Sequence, residues 1–461
     1  MSRRQLRHLL VAAAVLLPFG AARAHTIKVK SGVASDLQDA IDAAAAGDTI
    51  SVSGGPYVGN FVVPAGKDGL VIKGKATIDA YLGPRGLVVN SSGVTISGLT
   101  IRQAGSAGLL APFGGPAKLT SIIITHCSFV NVEGFGIDVI SDDADITSCT
   151  LTGCDSGLHV TGDQALITSC SVANDGTNGI RVDGDNCRVL KCTCTMIEDG
   201  SGVIVLGNNG NVEKCHVSDC DSAGVSMTGT GSAALGNVVA NIMDAGISVS
   251  GAAAVIQGNS VVATDGDGID VAGVDAFVED NKISHMPDDS LGLSISSVTG
   301  GHAEGNVIDS VSEIGLEFVG SSGVISKNKV SRSGSENEEG VLVSGNNNTI
   351  EKNTVSNCDN SGIVVIGSGN DLVGNKLSDC TSNGLVISGL SSADNVLDGN
   401  ACTSNDGQGL LNGGVGTLLR HNTFKKNLLD VANQTAAGAT IVDDGNNSFT
   451  TGGFTTEPLV P

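Results

Sequence analysis

Three positions of this 461-residue chain carry a carboxylate, an imidazole and a guanidinium at nearly even spacing: Asp138, His159 and Arg181, in the tetrapeptides GIDV, GLHV and GIRV. Each follows a Gly-aliphatic pair and precedes a valine, so in an extended chain the aliphatic side chains take one face and these three take the other. Asp183 lies two residues beyond Arg181 and shares its face. An imidazole transfers protons near neutral pH, a carboxylate beside it fixes its orientation, and a guanidinium holds an anionic group. On that reading His159 is the proton-transfer residue, Asp138 orients it and Arg181 stabilises developing negative charge. Asp183, Asp270 and Glu317 are the residues expected to contact a substrate alongside them. The same line also reads as a solvated cross-strand charge ladder with no chemistry at all. A second grouping, His285 with Asp288 and Asp289, falls in a turn, where Asp is favoured for local backbone bonding.

What would align these residues is a repeat. Gly followed by an aliphatic residue recurs from Gly86 to Gly409, most often at a step of 22 residues. After most of these glycines, at a fixed offset, comes Cys127, Cys149, Cys170, Cys192 or Cys215, and then Asn in every repeat from Asn237 to Asn422. Residues alternate in polarity around both positions, which is the period of half-buried strands. A unit of three short strands and three turns cannot bury its own apolar face, so the repeats must stack into a parallel solenoid of about fifteen coils. A buried Asn column is then satisfiable, because stacked amides donate and accept along the stack. The outward position runs from Asp138, His159 and Arg181 through Ser226 and Ser248 to Asp270 and Glu317. It ends in Leu342, Val364, Val386 and Leu411, an aliphatic strip expected to be covered by residues 428–461 or by a partner.

This pattern, from about residue 26 to the end, resembles the right-handed parallel β-helix of the pectin lyase-like superfamily. Leu37, Ala40, Ile41 and Ala44 form an apolar stripe on a short helix over residues 37–46, followed by GDTISVSGGPYVGNFVVP; helix and strand resemble the end cap of exported β-helix proteins. The resemblance implies an all-β solenoid with residues 25–84 as cap and first coils, 85–427 as β-helix and 428–461 as cap or tail. It also implies a ligand groove along the outer face that carries Asp138, His159 and Arg181. The function implied is association with a carbohydrate, by binding or modifying a glycan. The alternatives are a non-catalytic scaffold or adhesin-like spacer and, by similarity to the periplasmic β-helix accessory protein of nitrous oxide reductase maturation, an assembly factor with a cell-envelope partner. Polyuronate lyases grip an acidic polymer with Arg and Lys, which this acidic chain would repel. The aspartate trio of polygalacturonases and the motifs of mannuronan epimerases are also missing. Sugar-stacking aromatics are scarce, with no Trp and only Tyr57 and Tyr81.

Residues 1–24 combine Arg3, Arg4 and Arg7, an apolar run over 9–19 and the small-residue pattern Ala22-Arg23-Ala24, which reads as a cleaved secretory signal, Sec or twin-arginine. The mature chain is expected in the periplasm or outside the cell, with no membrane span. Cleavage would expose His25, whose amine and imidazole could chelate copper. A formal charge of −23 argues against nucleic acid as a partner. The twelve cysteines invite a disulfide framework in such a compartment. Stacking opposes it: Cβ atoms in adjacent coils sit about 4.8 Å apart, wider than a disulfide prefers, so buried free thiols are expected. No cofactor is implied. Calcium is the one ion the turns would suit, since DGDGIDVAG (265–273) is close to a calcium-binding nonapeptide, though it occurs once.

Overall fold

The computed structural model describes residues 24–81, 83–112, 118–287, 289–334, 338–434, 438–450 and 454–455. All of the expected signal but Ala24 lies outside them, as do Asp288 and residues 113–117.

Strand formation follows the repeat. In one coil, Ile180–Asp183, Arg188–Leu190 and Thr193–Ile197 are extended. Each pairs in parallel with its counterpart one coil on, Ile180 with Val203, Arg188 with Asn211 and Thr193 with His216. Ile180, Val182, Val189, Cys194 and Ile197 point inward and are fully buried. Repetition of this unit gives an all-β, right-handed parallel solenoid of about 19 turns with three faces. At about 4.8 Å per turn the rod is about 85 Å long. The excess over fifteen coils comes from turns that lack the Gly-aliphatic signature. Thr26–Val29, Thr49–Val58 and Val71–Asp79 pair in series before it begins. After it ends, Leu429–Asn433 and Phe454–Thr455 continue the first face.

Two turns explain the repeat's fixed residues. Where the chain passes from the third face to the first, it comes so close to the next coil that a Cβ at Gly157 would lie 2.2 Å from the Gly179 carbonyl, and one at Gly179 would lie 2.6 Å from that of Gly202. Glycine is kept there by close approach, not by its φ. Between the second and third faces the chain bends through one left-handed residue, such as Ser148, Lys191 or Gly258. The residue after it then points inward. At the distal coils that residue is Asn: Asn259 Nδ2 donates to the Ala234 carbonyl (2.9 Å) and to Asn281 Oδ1 (2.9 Å), and Asn281 Oδ1 also accepts the Asn259 backbone N–H (2.9 Å). In the earlier coils cysteine substitutes, with the thiols of Cys149, Cys170 and Cys215 directed at the carbonyls of Ile124, Ile146 and Val189 at 3.5–3.6 Å. All twelve cysteines are buried and free.

The capping helix spans Ala34–Ala43, three residues earlier than the apolar stripe suggested, and buries Leu37, Ala40 and Ile41. It stops where Ala44 turns extended. Asp48 accepts the Ala45 N–H there (2.9 Å), and Lys67 Nζ takes the Asp42 carbonyl (2.7 Å) at the negative end of the helix dipole. Asp48 also accepts the His25 backbone N–H (2.7 Å).

Candidate functional site

Strand register places the outward residues of the first face in one column. Asp138 stands beside His159, His159 beside Arg181, and the column continues through Ile204, Ser226 and Ser248 to Asp270, Ser294 and Glu317. Four of the expected residues converge. His159 Nδ1 lies 3.0 Å from Asp138 Oδ1, and its Nε2 lies 3.5 Å from Asp183 Oδ2 and 3.3 Å from Thr161 Oγ1. On the other side the Phe135 ring stacks on the imidazole, with centroids 5.6 Å apart. Neither Phe135 nor Thr161 was singled out from the sequence. Phe135 announces itself only by preceding an anchor glycine, and Thr161 becomes visible only when the register sets it beside Asp183.

The imidazole's hydrogen bond to Asp138 raises its pKa, burial opposes that rise, and the charge of Asp138 and the contact with Asp183 add to it; the net shift is upward. The upward shift favours the protonated, proton-giving form of His159. Arg181 is held within the cluster. Its Nε and Nη2 donate to the Asp183 carboxylate at 3.0–3.1 Å, so much of its charge is spent within the cluster. With two carboxylates against one guanidinium and one imidazole, the cluster carries no excess of positive charge, which disfavours capture of a polyanion.

Asp270 and Glu317 do not join this group. They lie four and six coils farther along the column, roughly 19 and 29 Å from Arg181 at one strand spacing per coil. Burial raises the pKa of both, opposed at Asp270 by Ser294. Asp270 lines an open cleft of about 880 Å³ with Asp244, Asp267 and the serines 201, 222, 226 and 248. Burial pushes Asp267 up to about 6. His285 is the left-handed, penultimate residue of the strand Lys282–Met286, while Asp288 of its grouping is outside the described residues. Residues 265–273 keep the ordinary coil register. Among the described residues no three His, Cys, Asp or Glu side chains converge to hold a metal ion. Lys118 pairs with Asp142 beside the site.

The distal strip is as expected in register, Leu342, Val364, Val386 and Leu411, but the described part of residues 428–461 does not fold over it. Leu429–Asn433 stacks on Gln408–Asn412 as a further coil. No helix among the described residues is long and apolar enough to cross a membrane.

Two family models match. One, described as a right handed beta helix region, matches residues 85–239 and 136–283, and the other, described as periplasmic copper-binding protein (NosD), matches residues 252–455. No curated protein matches the sequence. Among solved structures, the A-module of mannuronan C-5 epimerase AlgE6 of Azotobacter vinelandii is 14% identical, with 87% of this chain and 96% of that one covered and a TM-score of 0.40. A tailspike protein of E. coli bacteriophage HK620 is 11% identical over 90% of this chain and 74% of its own, with a TM-score of 0.42. A mannuronic acid specific polysaccharide family 6 lyase from human gut microbiota is 11% identical over 76% and 86%, with a TM-score of 0.33. Repeat, register and the family model matched over residues 85–283 agree on one assignment: the chain is a right-handed parallel β-helix repeat protein.

Proposed function

We propose that this protein is an exported, carbohydrate-associated β-helix whose first face binds a glycan across Asp138, His159, Arg181 and Asp183. The observation that carries this reading is the half-buried chain Asp138–His159–Asp183, backed by the Phe135 ring and open on its outer side. If the protein transforms its ligand, His159 donates a proton to a substrate oxygen, Asp138 holds the imidazole, and Asp183 fixes Arg181 toward the same ligand. Asp270 and Glu317 would contact a longer chain lying along the column. The periplasm or the extracellular space is the compartment, in keeping with the family matched over residues 252–455. A glycan panel probed with the intact mature protein and with His159→Ala tests the reading. Binding that the substitution abolishes supports it.

A second reading is favoured by that same family match and by the aliphatic column from Leu342 to Leu411, over which no described part of residues 428–461 folds: a non-catalytic periplasmic assembly factor that binds a protein partner through its distal coils. Leu342→Asp with Val386→Asp would then abolish capture of one defined partner from envelope extract and leave glycan binding unchanged.

A further inference from the structure

Tyr81 was unremarkable in the sequence, one of two tyrosines in the first coils. The structure separates them. Tyr57 is fully buried, its hydroxyl donating to the Ser53 carbonyl (2.8 Å), whereas Tyr81 is 70% exposed. Tyr81 lines an open cleft of about 360 Å³ on the ridge between the third and first faces, toward the lower end of the roughly 300–1,000 Å³ of ligand sites. Four successive coils line it, with Gln103 and Gly105, Asn131 and Glu133, and Asp155 following Tyr81 in order. Three strand spacings make it about 14 Å long.

We infer that this cleft is a second sugar-binding site, for a hexopyranose without a carboxylate. The phenol ring offers a flat apolar surface to the C–H face of a pyranose, and Gln103 and Asn131 can each donate to and accept from hydroxyls. Glu133 and Asp155 accept from hydroxyl donors and repel a uronate. None of the described lining residues is Lys or Arg. Glycine at 105 keeps the floor open. A Cβ there would meet nothing closer than 3.6 Å and would lie 3.9 Å from the Glu133 carboxylate, so a side chain would enter the cleft without backbone strain. Glu133 and Asp155 also lead directly into the strands that carry Asp138 and His159, Phe135–Asp142 and Ser156–Thr161. A glycan held on the ridge would thus continue onto the first face. The inference rests on the glycan reading only through these shared coils.

The chain supplies its own probe. With no Trp, and with Tyr57 buried, tyrosine emission and its quenching by acrylamide report on Tyr81. The mature protein is titrated with cellohexaose, maltohexaose and chitohexaose, with oligogalacturonate as the anionic comparison. The expected result is saturable protection of Tyr81 from acrylamide by at least one neutral hexamer, at least tenfold weaker with oligogalacturonate. The same titration by calorimetry should lose the binding at least tenfold in Tyr81→Ala and in Gly105→Leu, with unfolding temperatures kept. Absence of saturable protection by all three hexamers overturns the cleft, and so does binding that Gly105→Leu leaves intact. Loss in His159→Ala with both of these variants unaffected would likewise overturn the cleft and place the glycan on the first face only.

Discussion

His159 sits between two carboxylates, and the consequence is measurable. Asp138 and Asp183 raise its pKa above the ordinary value of about 6.5. The folded chain thus keeps a proton that the unfolded chain releases near 6.5. The stabilisation is complete below about 6.5 and is lost as pH rises through the folded midpoint. We expect the His159 ring resonances to titrate above 6.5 by NMR, and Asp138→Asn to bring the midpoint down; a midpoint at or below 6.5 in the intact protein would contradict the clamp. Asp175 shows the opposite balance. It is fully buried, Oδ1 accepts the Cys154 N–H (2.9 Å), Oδ2 has no hydrogen-bond partner, and burial pushes its pKa up to about 7. The native state then holds an extra proton between the unfolded carboxylate's pKa and about 7. Stability therefore declines as pH rises through that interval and is flat above it. Asp175→Asn should unfold at higher urea than the parent at pH 8, by at most about 4 kcal/mol, with the gap closing toward pH 4. An equal gap at both pH values would show that the carboxyl is not carrying the proton.

At the scale of the turn, the inward residue after the left-handed bend decides how neighbouring coils are joined. Asn281 accepts two hydrogen bonds from Asn259 and donates to the Ile256 carbonyl (2.8 Å) and to Asn306 Oδ1 (3.0 Å). Asn281→Leu keeps the volume and removes all four, leaving buried donors and acceptors unpaired, at a cost of about 2 kcal/mol or more. Cys215→Asn should cost under about 1 kcal/mol. Its amide would replace the thiol that faces the Val189 carbonyl and extend the ladder that Asn237 already offers to the Cys215 N–H (2.9 Å). Urea denaturation separates the two, and equal losses would mean that the ladder contributes no more than packing. These elements were legible in the sequence because a solenoid writes its register as a period: glycine, bend and ladder residue recur at fixed offsets, and the outward column follows by counting. The convergence of Asp183 on His159 was not legible, since it depends on side-chain direction across two coils. Nor was the Tyr81 cleft, which is built from single residues of four coils at a turn with no repeating pattern. The pairing of Arg181 with Asp183 of its own strand was not read from the sequence either.

For the whole molecule, a rod closed by parallel pairing buries every thiol. The fully buried position of Cys194 and Cys402 raises their pKa, and burial pushes Cys154 and Cys220 up to about 12. The native protein should therefore show no fast reaction with a thiol reagent and release twelve thiols in guanidinium; fewer than twelve would reveal disulfides that the coil spacing disfavours. The rod also presents, along one side, a polar cluster at Asp138, His159 and Arg181, a serine-lined acidic cleft near Asp270 and an aliphatic strip beyond Leu342. That sequence of surfaces suits one extended ligand better than a compact one. The central claim is that the first cluster is where a glycan is held, and its most direct test is calorimetric titration of the purified mature protein with the glycans that score on a broad panel, in parallel with His159→Ala. The account predicts saturable binding by the intact protein and at least tenfold weaker binding by the folded variant. Binding that is equal in both, or no binding to any glycan by a fully folded protein, would contradict it.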